Sequence, residues 1–309
     1  MSRIVHIGAA QLGPIEREHT RAQVVERLLT LLREAHARGC ELVVFPELAL
    51  TTFFPRWAMT DLDEIDFFFE RTMPSASTQP LFDEARRLRV GFVLGYAELT
   101  DAGEHFNTAI LVDCDGSIVH RYRKVHLPGH DEFEPWRAFQ HLEKRYFEVG
   151  REGFTVARAY DGIVGLLICN DRRWPEAYRS LGLQGVELIC IGYNTPVHNP
   201  PAPDHDRLSD FHNHLVLQSG AYQNGTWVVG VAKAGVEAGV PMIGGTCIVA
   251  PTGEIVVQCA TLDDELVDAA CDLDACNSYK ASVFNFARHR EPAAYWRLTS
   301  QEGAELPRE

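Results

Sequence analysis

The chain has 309 residues, which is more than one small hydrophobic core needs, and its 46% apolar and 23% charged residues are typical of a globular protein. The formal net charge of −14 argues against a nucleic-acid groove or an anionic membrane surface as the main partner. It leaves open a small anionic ligand, because a local group of cations can oppose the overall sign.

The elements predicted along the chain alternate between strands and helices. Alternating or continuous apolar residues predict strands within residues 4–12, 41–47, 91–99, 107–127, 162–171, 186–194, 226–235 and 246–260. Apolar residues at helical spacing predict helices at residues 20–39, 81–90, 174–183 and 208–225. In the last of these helices, the spacing is that of Phe211, Leu215 and Gln218. Asp115-Gly116 and Thr252-Gly253 mark hairpin turns in similar surroundings, which predicts an internal two-fold repeat.

This order of elements predicts an α/β protein in which two sheets are packed between helical layers. No low-complexity linker divides the sequence, so we expect residues 1–309 to form a single domain. Residues 277–309 carry aromatic side chains among charged ones, and we expect this tail to pack on a neighbouring subunit.

The cysteines and the first residues bear on cellular location. The eight cysteines include no C-x-x-C pair, and residues 1–15 lack the basic segment and long apolar stretch of a signal peptide. No apolar run in the sequence is long enough to span a bilayer. We therefore expect a cytoplasmic protein with reduced thiols and no membrane partner.

Three side chains that could be reactive each follow a predicted strand. Cys169 ends an apolar run before a turn and a helix, where the positive end of the helix dipole would lower the pKa of the thiol and make it a nucleophile. Glu47 ends another buried run, where a carboxylate needs a partner or a role such as general base. Lys124 follows the first predicted hairpin. Taken singly, each has an ordinary explanation, as an inert core thiol, a solvated acid and a solvated lysine. Together, three such residues at strand ends could lie at one rim of a sheet, which is the usual place for an active site in an α/β protein.

The residues around these three resemble a known family. Glu47 in FPE, Lys124 in RKVHL and Cys169 in ICNDRRWPE match the Glu-Lys-Cys signature of the nitrilase superfamily of carbon-nitrogen hydrolases. Within it, the sequence is similar to the N-carbamoyl-D-amino acid amidohydrolase family, from the first strand to about residue 292. The similar stretches are FPELALTTFFPRW, HLPGH, FQHLEKRYFE, CNDRRWPEA, GYNTPVHNPP and FNFARHREP.

The resemblance implies a four-layer α-β-β-α sandwich, a homodimer or homotetramer, and hydrolysis of N-carbamoyl-D-amino acids to D-amino acid, ammonia and carbon dioxide without a metal or cofactor. Cys169 would attack the ureido carbonyl to form a thioester-type intermediate, and Glu47 would accept the thiol proton. Lys124 and the backbone N–H of Asn170 would stabilise the oxyanion. Glu143 would orient Lys124 or the attacking water.

The same resemblance places a set of binding residues around the thiol. Arg172 and Arg173 would bind the substrate carboxylate through their planar guanidinium groups, although Arg173 could instead hold the loop. From the residues alone, a surface salt bridge with Asp171 or Glu176 is an equal alternative for at least one of the arginines. The remaining residues expected to line the pocket are His126, His141, Asn194 and Thr195.

Other functions match the sequence less well. A metal hydrolase would draw on the histidine-rich stretches, but no H-E-x-x-H motif or cysteine–histidine zinc spacing is present. Residues 244–246 lack the glycine pattern and the following lysine of a phosphate loop. A related amidase, nitrilase or β-ureidopropionase is the main alternative, and a non-catalytic binding protein of the same fold is a lesser one. The histidines weighed as metal ligands are His126, His130, His198, His205, His212 and His214.

Overall fold

The computed structural model describes residues 2–307 and contains two six-stranded sheets and a small two-stranded ribbon. In chain order the strands are β1 (Ile4–Gln11), β2 (Leu42–Val44), β3 (Gly91–Leu99), β4 (His105–Val112), β5 (Ile118–Arg123), β6 (Val156–Ala159), β7 (Gly162–Ile168), β8 (Leu188–Tyr193), β9 (Trp227–Ala232), β10 (Ala234–Glu237), β11 (Val240–Ile243), β12 (Cys247–Val249), β13 (Ile255–Gln258) and β14 (Glu265–Asp272). The strand order is β14-β1-β2-β3-β4-β5 in the first sheet and β13-β12-β9-β8-β7-β6 in the second, and β10 pairs with β11.

The helices lie between the strands and after the last strand. They are α1 (Arg21–Ala37), α2 (Leu62–Asp66), α3 (Gln79–Leu88), α4 (Glu143–Tyr146), α5 (Pro175–Gly182), α6 (Ser209–Asn224), α7 (Ala275–Ala281), α8 (Phe286–His289) and α9 (Arg297–Ser300). A short 3-10 turn over Cys169–Arg173 joins β7 to α5. Among residues 2–307, no helix has both the length and the apolar composition needed to cross a membrane.

The two large sheets repeat one topology. In the first sheet β1, β2 and β3 are parallel and lead into the antiparallel hairpin β4–β5. In the second, β7, β8 and β9 are parallel and lead into the antiparallel strands β12 and β13. The two predicted turns fall in the second hairpin of each half, with Gly116 and Gly253 at positive φ. The internal two-fold repeat expected from the turns is therefore present in the fold.

The apolar faces of the sheets and helices make four layers. Side chains of both sheets interdigitate in one core cluster, which includes Val44, Leu166 and Ile189. On the outer face of the first sheet, residues of α1 and α3 such as Leu28 and Phe82 complete a second cluster. Helices α5 and α6 cover the second sheet in the same way, through residues that belong to the first cluster. This is the α-β-β-α sandwich expected from the sequence.

Helix α6 forms where predicted but buries a different face. Phe211 and Leu215, which supply the apolar spacing, are 58% and 47% exposed, whereas Leu217 and Ala221 are fully buried against the sheet. The buried face includes small residues because α5 and α6 lie close together. A Cβ on Gly220 would stand 2.3 Å from the ring of Tyr178 on α5. Spacing alone therefore predicts the helix, and the close approach decides which side faces inward.

The segment after α7 contributes little to either core. Trp296 is 53% exposed and Leu298 is 63% exposed, as expected for a tail whose apolar groups lack cover within one chain. That this tail packs on a neighbouring subunit stays a prediction, as does the homo-oligomer.

Candidate active site

Glu47 lies just beyond the carboxyl end of β2, between the two sheets, and its side chain is fully buried. The backbone of both sheets approaches it closely. A Cβ on Gly95 of β3 would stand 2.7 Å from the Glu47 Cα, and one on Gly192 of β8 would stand 2.4 Å from the Glu47 nitrogen. These two glycines are needed because any side chain there would displace the peptide that carries the carboxylate.

The Glu47 carboxylate is held by three donors. Its Oε1 accepts hydrogen bonds from Lys124 Nζ at 2.7 Å and from Asn107 Nδ2 at 2.8 Å. Its Oε2 accepts one from the backbone N–H of Asn194 at 2.9 Å. A buried carboxylate with this many donors is fixed in orientation and compensated for its lost hydration.

Lys124 follows β5 and links two buried acids. Its ammonium lies 2.7 Å from Glu47 Oε1 and 2.6 Å from Glu143 Oε2, and all three side chains are fully buried. Burial works against the charge of the ammonium, but the nearby Cys169, Glu143 and Glu47 outweigh that effect and raise the pKa of Lys124. The lysine is therefore a permanent cation in the site.

Glu143 is the first residue of α4, and its carboxylate lies between a lysine and a histidine. Its second oxygen is 3.1 Å from His141 Nε2. Burial works against the charged carboxylate, but Lys124, followed by His141, lowers its pKa below the ordinary value. Glu143 therefore remains an anion that fixes the position of the Lys124 ammonium.

Cys169 stands at the turn that follows β7. Its backbone has φ of +61°, a left-handed conformation that is costly for a residue with a Cβ and that is found at functional turns. Its Sγ, one oxygen of Glu47 and one oxygen of Glu143 all lie within 4.8 Å of one another. The structure thus brings together the three groups that lie far apart in the sequence, with Lys124 between the two acids.

The resting state of the thiol differs from the expectation. Burial, followed by the charge of Glu47, raises the pKa of Cys169 to about 11, because the opposing charges of Lys124 and Arg172 offset these effects only in part. The Sγ lies 3.6 Å from the carbonyl oxygen of Asn194, a contact that suits a neutral S–H donor. The prediction that a helix dipole lowers this pKa is wrong, because burial and the adjacent carboxylate outweigh the dipole.

Asn194 joins the acid and the thiol across the two sheets. It follows β8, and its side-chain amide donates to the Glu47 carbonyl at 2.9 Å in addition to the backbone bond to the carboxylate. Its own carbonyl oxygen faces the thiol. Asn194 therefore connects Glu47 directly to Cys169 and, with Lys124 and Asn107, fixes the position of the carboxylate.

Asp171 fixes the turn that carries the nucleophile. Its buried carboxylate accepts hydrogen bonds from Tyr122 Oη at 2.7 Å and from the backbone of Ile168 at 3.0 Å. It also accepts from the backbone N–H of His126 at 3.0 Å, and it lies 2.9 Å from His126 Nδ1. These contacts tie the turn between β7 and α5 to the segment that follows Lys124.

His126 does not line the cavity that holds the thiol, which corrects the expectation for this residue. Its ring stacks on Trp174 at 5.2 Å between centroids, on the far side of the Cys169 turn. Together with Asn170 it lines a separate shallow hollow. The attraction of Asp171 for the imidazole, added to the stacking, explains why the ring turns away from the thiol.

Arg172 is also placed differently from the expectation. It is 1% exposed, and its guanidinium donates to the Cys169 carbonyl at 2.7 Å, to Asn213 Oδ1 at 3.0 Å and to Thr195 Oγ1 at 3.0 Å. Its plane lies over the ring of Tyr193 at 4.2 Å. Because these contacts occupy the donor directions, Arg172 holds the nucleophile turn from behind and does not line the cavity.

Arg173 points into the cavity in its place. It is reached by solvent but stands in a recess walled by protein, and burial, followed by the charge of Arg172, lowers its pKa to about 10. Its nearest polar contact is Asn170 Oδ1 at 3.3 Å, and no carboxylate of residues 2–307 forms a salt bridge with it. The two arginines thus have the reverse of the roles considered from the sequence, with Arg172 holding the loop.

The cavity above Cys169 has a volume of about 640 Å³. Its wall includes three residues expected from the sequence, His141, Asn194 and Thr195. Apolar groups from Phe139 and Leu215 line another part of it. The remaining charged or imidazole side chains at the wall are Arg137, Arg173, His198, His205 and His212. Within the described part of the chain, no aspartate or glutamate lines it.

Comparison with known families decides the assignment. A carbon-nitrogen hydrolase family model matches residues 6–281, which is most of the chain and includes Glu47, Lys124, Glu143 and Cys169. The chain belongs to the carbon-nitrogen hydrolase family. As a member, it shares with that family the cleavage of carbon–nitrogen bonds outside peptides, and its buried thiol, acids and lysine are the groups available for that chemistry.

Relatives of this hydrolase differ in substrate. It is similar to N-carbamoylputrescine amidase from Arabidopsis thaliana, with 29% identity over 97% of each chain. It is also similar to citrullinase from Francisella tularensis, with 25% identity over 98% of this chain and 96% of the relative. The crystal structure of a carbon-nitrogen hydrolase from Helicobacter pylori G27 has the same fold, with a TM-score of 0.84, 22% identity, and coverage of 97% of this chain and 99% of that one.

Several residues of this hydrolase site were missed in the sequence. Asn107 of β4 and Asn213 of α6 each bond a site residue, but an asparagine inside an apolar strand or helix has many ordinary explanations. Asp171 stands two residues after the nucleophile, and an aspartate within a turn is a usual local hydrogen-bond acceptor. Its position two residues after Cys169 was the one signal that could have identified it.

Proposed function

We propose that this carbon-nitrogen hydrolase converts N-carbamoyl-D-amino acids to D-amino acids, ammonia and carbon dioxide. Cys169 attacks the ureido carbonyl carbon as its thiol proton passes to Glu47. The proton then moves from Glu47 to the nitrogen that leaves, and a thioester remains on the sulfur. Glu47 next removes a proton from water, which attacks the thioester. The carbon–sulfur bond breaks, the proton passes from Glu47 to the sulfur, and the carbamic acid that is released decomposes to carbon dioxide and the second amine. The short separation of Glu47 and Cys169, at most 4.8 Å, supports the use of one acid both in forming the thioester and in hydrolysing it.

Charge develops on the ureido oxygen when the sulfur attacks. Lys124 keeps its proton in the buried site, so it presents a fixed positive charge to that oxygen. The backbone N–H of Asn170, next to the nucleophile, is the second donor in this proposal. Glu143 acts through Lys124 and not on the substrate, because its two oxygens already face Lys124 and His141.

The observation that carries the substrate assignment is the unpaired guanidinium of Arg173. It stands in the cavity above Cys169 with only an amide oxygen as close partner. A planar carboxylate next to the reacting carbonyl would give it a bidentate partner. The other arginine of the wall, Arg137, is paired with Glu134, so Arg173 is the one that is free to bind an anion. No acidic side chain lines the described wall, which therefore favours an anion in a protein whose net charge is −14.

The charges of the relatives' substrates explain why we depart from them. N-carbamoylputrescine carries an ammonium group, and citrulline carries both an ammonium and a carboxylate. An ammonium would need an acidic partner, which the described wall of this cavity does not supply. In an N-carbamoyl-α-amino acid the α-nitrogen is part of the ureido group and is neutral. Such a substrate presents the carboxylate without the cation. The D configuration is supported by the resemblance of the sequence stretches to the N-carbamoyl-D-amino acid amidohydrolases.

A substrate panel tests the proposal. The purified protein is assayed for amino acid and ammonia release from N-carbamoyl-D- and L-amino acids, N-carbamoylputrescine, citrulline, β-ureidopropionate, simple amides and nitriles. We expect the N-carbamoyl-D-amino acids to give the highest kcat/KM. A preference for an amide or nitrile would replace the proposal with an amidase or nitrilase, and a preference for the L series would remove the stereochemical assignment.

Substitution of Arg173 tests the carboxylate subsite. Arg173→Ala is expected to raise KM for an N-carbamoyl-D-amino acid at least tenfold, since it removes a charge-assisted bidentate pair, which contributes roughly 1.5–3 kcal/mol. Turnover of a neutral N-alkylurea should change little. Arg71→Ala, at an arginine whose side chain is 65% exposed, is the matched control. Equal losses on the charged and neutral substrates would remove Arg173 from carboxylate binding.

A further inference from the structure

A second cluster of reactive side chains lies in the first sheet, at the end of β2 opposite the end that carries Glu47. His6 of β1, Cys40 after α1 and Asp268 of β14 place an imidazole nitrogen, a thiol sulfur and a carboxylate oxygen within 4.8 Å of one another. Cys40 precedes β2, whereas Glu47 follows it, so the strand separates this cluster from the active site. Nothing in the proposed hydrolysis uses these three residues.

The cluster is held in place by the sheet and by α1. The strands β1 and β14 pair antiparallel with His6 opposite Ala270, so Asp268 is the diagonal neighbour of His6 on the same face. The backbone N–H of Glu41 donates to the His6 carbonyl at 2.8 Å, and the N–H of Cys40 donates to the Ala35 carbonyl at 3.0 Å. The thiol is buried, and the imidazole and carboxylate are partly exposed, so a small ion can reach them.

We propose that His6, Cys40 and Asp268 form a zinc-binding site. A thiolate, an imidazole and a carboxylate are the three ligand types that Zn²⁺ takes in proteins. A tetrahedral zinc ion with such ligands spaces their donor atoms by about 3.3–3.8 Å. The donors here already lie within 4.8 Å, and His6 Nε2 is 2.8 Å from Asp268 Oδ2, so side-chain movements of about 1 Å would complete the site.

The neighbours of the cluster are arranged like the outer shell of a metal site. Arg38 would oppose a cation if it occupied the whole carboxylate, but it bonds only Oδ1 of Asp268, at 2.9 Å, and leaves Oδ2 facing His6. Arg38 is itself fixed by the Leu266 carbonyl at 2.9 Å. A carboxylate ligand oriented through its second oxygen is typical of metal sites. The fourth position is left to water or to Glu41, whose Oε1 accepts from the His6 N–H at 3.1 Å.

Cobalt spectroscopy tests the site without reliance on activity. The full chain carrying Cys169→Ala, which removes the active-site thiol, is treated with chelator, desalted and titrated with Co²⁺, and then with Zn²⁺ as competitor. We expect a thiolate-to-cobalt charge-transfer band at one equivalent, lost when zinc displaces cobalt. Cys40→Ser in this background should abolish the band, and Asp268→Asn should weaken binding at least tenfold. Cys114→Ser, at a cysteine that is not part of the cluster, is the matched control and should leave the spectrum unchanged.

Two outcomes would overturn the proposal. One is the absence of a thiolate band in the Cys169→Ala protein, which would leave a histidine–aspartate pair beside an inert core thiol. The other is a band that survives Cys40→Ser. If Cys40→Ser does not fold, His6→Ala decides the question, since its ring is partly exposed. Unchanged cobalt affinity in His6→Ala would then refute the site, whereas a loss of at least tenfold would support it.

Discussion

Replacement of Glu47 by glutamine should change two reactions of Cys169 in opposite directions. The Glu47 oxygen lies at most 4.8 Å from the sulfur, and its charge is one of the causes that raise the thiol pKa to about 11. At an effective dielectric constant of about 20, two unit charges at that distance interact by about 3.5 kcal/mol, which corresponds to roughly two and a half orders of magnitude in thiolate population. The nucleophilicity of a thiolate falls as its pKa falls, so the net gain in reactivity is about tenfold.

The assay compares turnover with alkylation by iodoacetamide at about pH 8. In Glu47→Gln we expect kcat to fall about 100-fold or more, because the general base is gone, and alkylation of Cys169 to become about tenfold faster. Glu148→Gln, at a side chain that is 46% exposed, is the control for loss of one negative charge. If alkylation slows in proportion to turnover, Glu47 does not control the thiolate through its charge, and the electrostatic reasoning fails.

Three further predictions concern position and pH. Arg172→Ala should lower the free energy of unfolding measured in urea by about 3 kcal/mol or more, because three buried acceptors lose their donor. An unchanged unfolding midpoint together with a raised KM would instead show that Arg172 binds substrate. Gly192→Ala should lower kcat at least tenfold, because the new Cβ meets the Glu47 backbone. Gly165→Ala is the control, since its Cβ meets only side-chain atoms at 2.9 Å or more, and it should lower kcat less. Equal kcat values for the two variants would contradict this reasoning. Hydrogen bonds from arginines of α3 and α1 lower the pKa of Glu84 from 4.5 to about 2, so its stabilising effect is present above about pH 4.5 and is lost as pH falls towards 2. The Tm difference between wild type and Glu84→Gln should therefore shrink from pH 6 to pH 2, and a constant difference would exclude the linkage.

Much of the fold could be predicted because its signals are local. The buried strands read as continuous apolar runs, and the predicted turns are glycines at positive φ, so the periodicity and the turn residues already define the repeat. Glu47, Lys124 and Cys169 were identified because each ends a strand and together they match a family signature. The apolar spacing of α6 does not predict which face of the helix is buried, because that depends on its contact with Tyr178.

The exchanged positions of Arg172 and Arg173 show where sequence reasoning ends. Two adjacent arginines point in different directions along a 3-10 turn, and which of them reaches the cavity depends on acceptors contributed by Asn213 and Thr195, far away in sequence. His126 is similar, since its orientation follows from the buried Asp171 and the Trp174 ring. The thiol pKa depends on burial and on the distance to Glu47, and neither is written in the residues around Cys169.

The bond from the Asn194 backbone to Glu47 spans the seam where one half of the molecule meets the other. Glu47 and Lys124 come from one half, whereas Cys169 and Asn194 come from the other, so neither half alone contains a working set of groups. A small slip of the halves past each other would part the sulfur from its proton acceptor while each half kept its hydrogen-bonded strands. Loss of catalysis on warming should therefore precede loss of secondary structure, because activity depends on the alignment of the two halves and the strands do not.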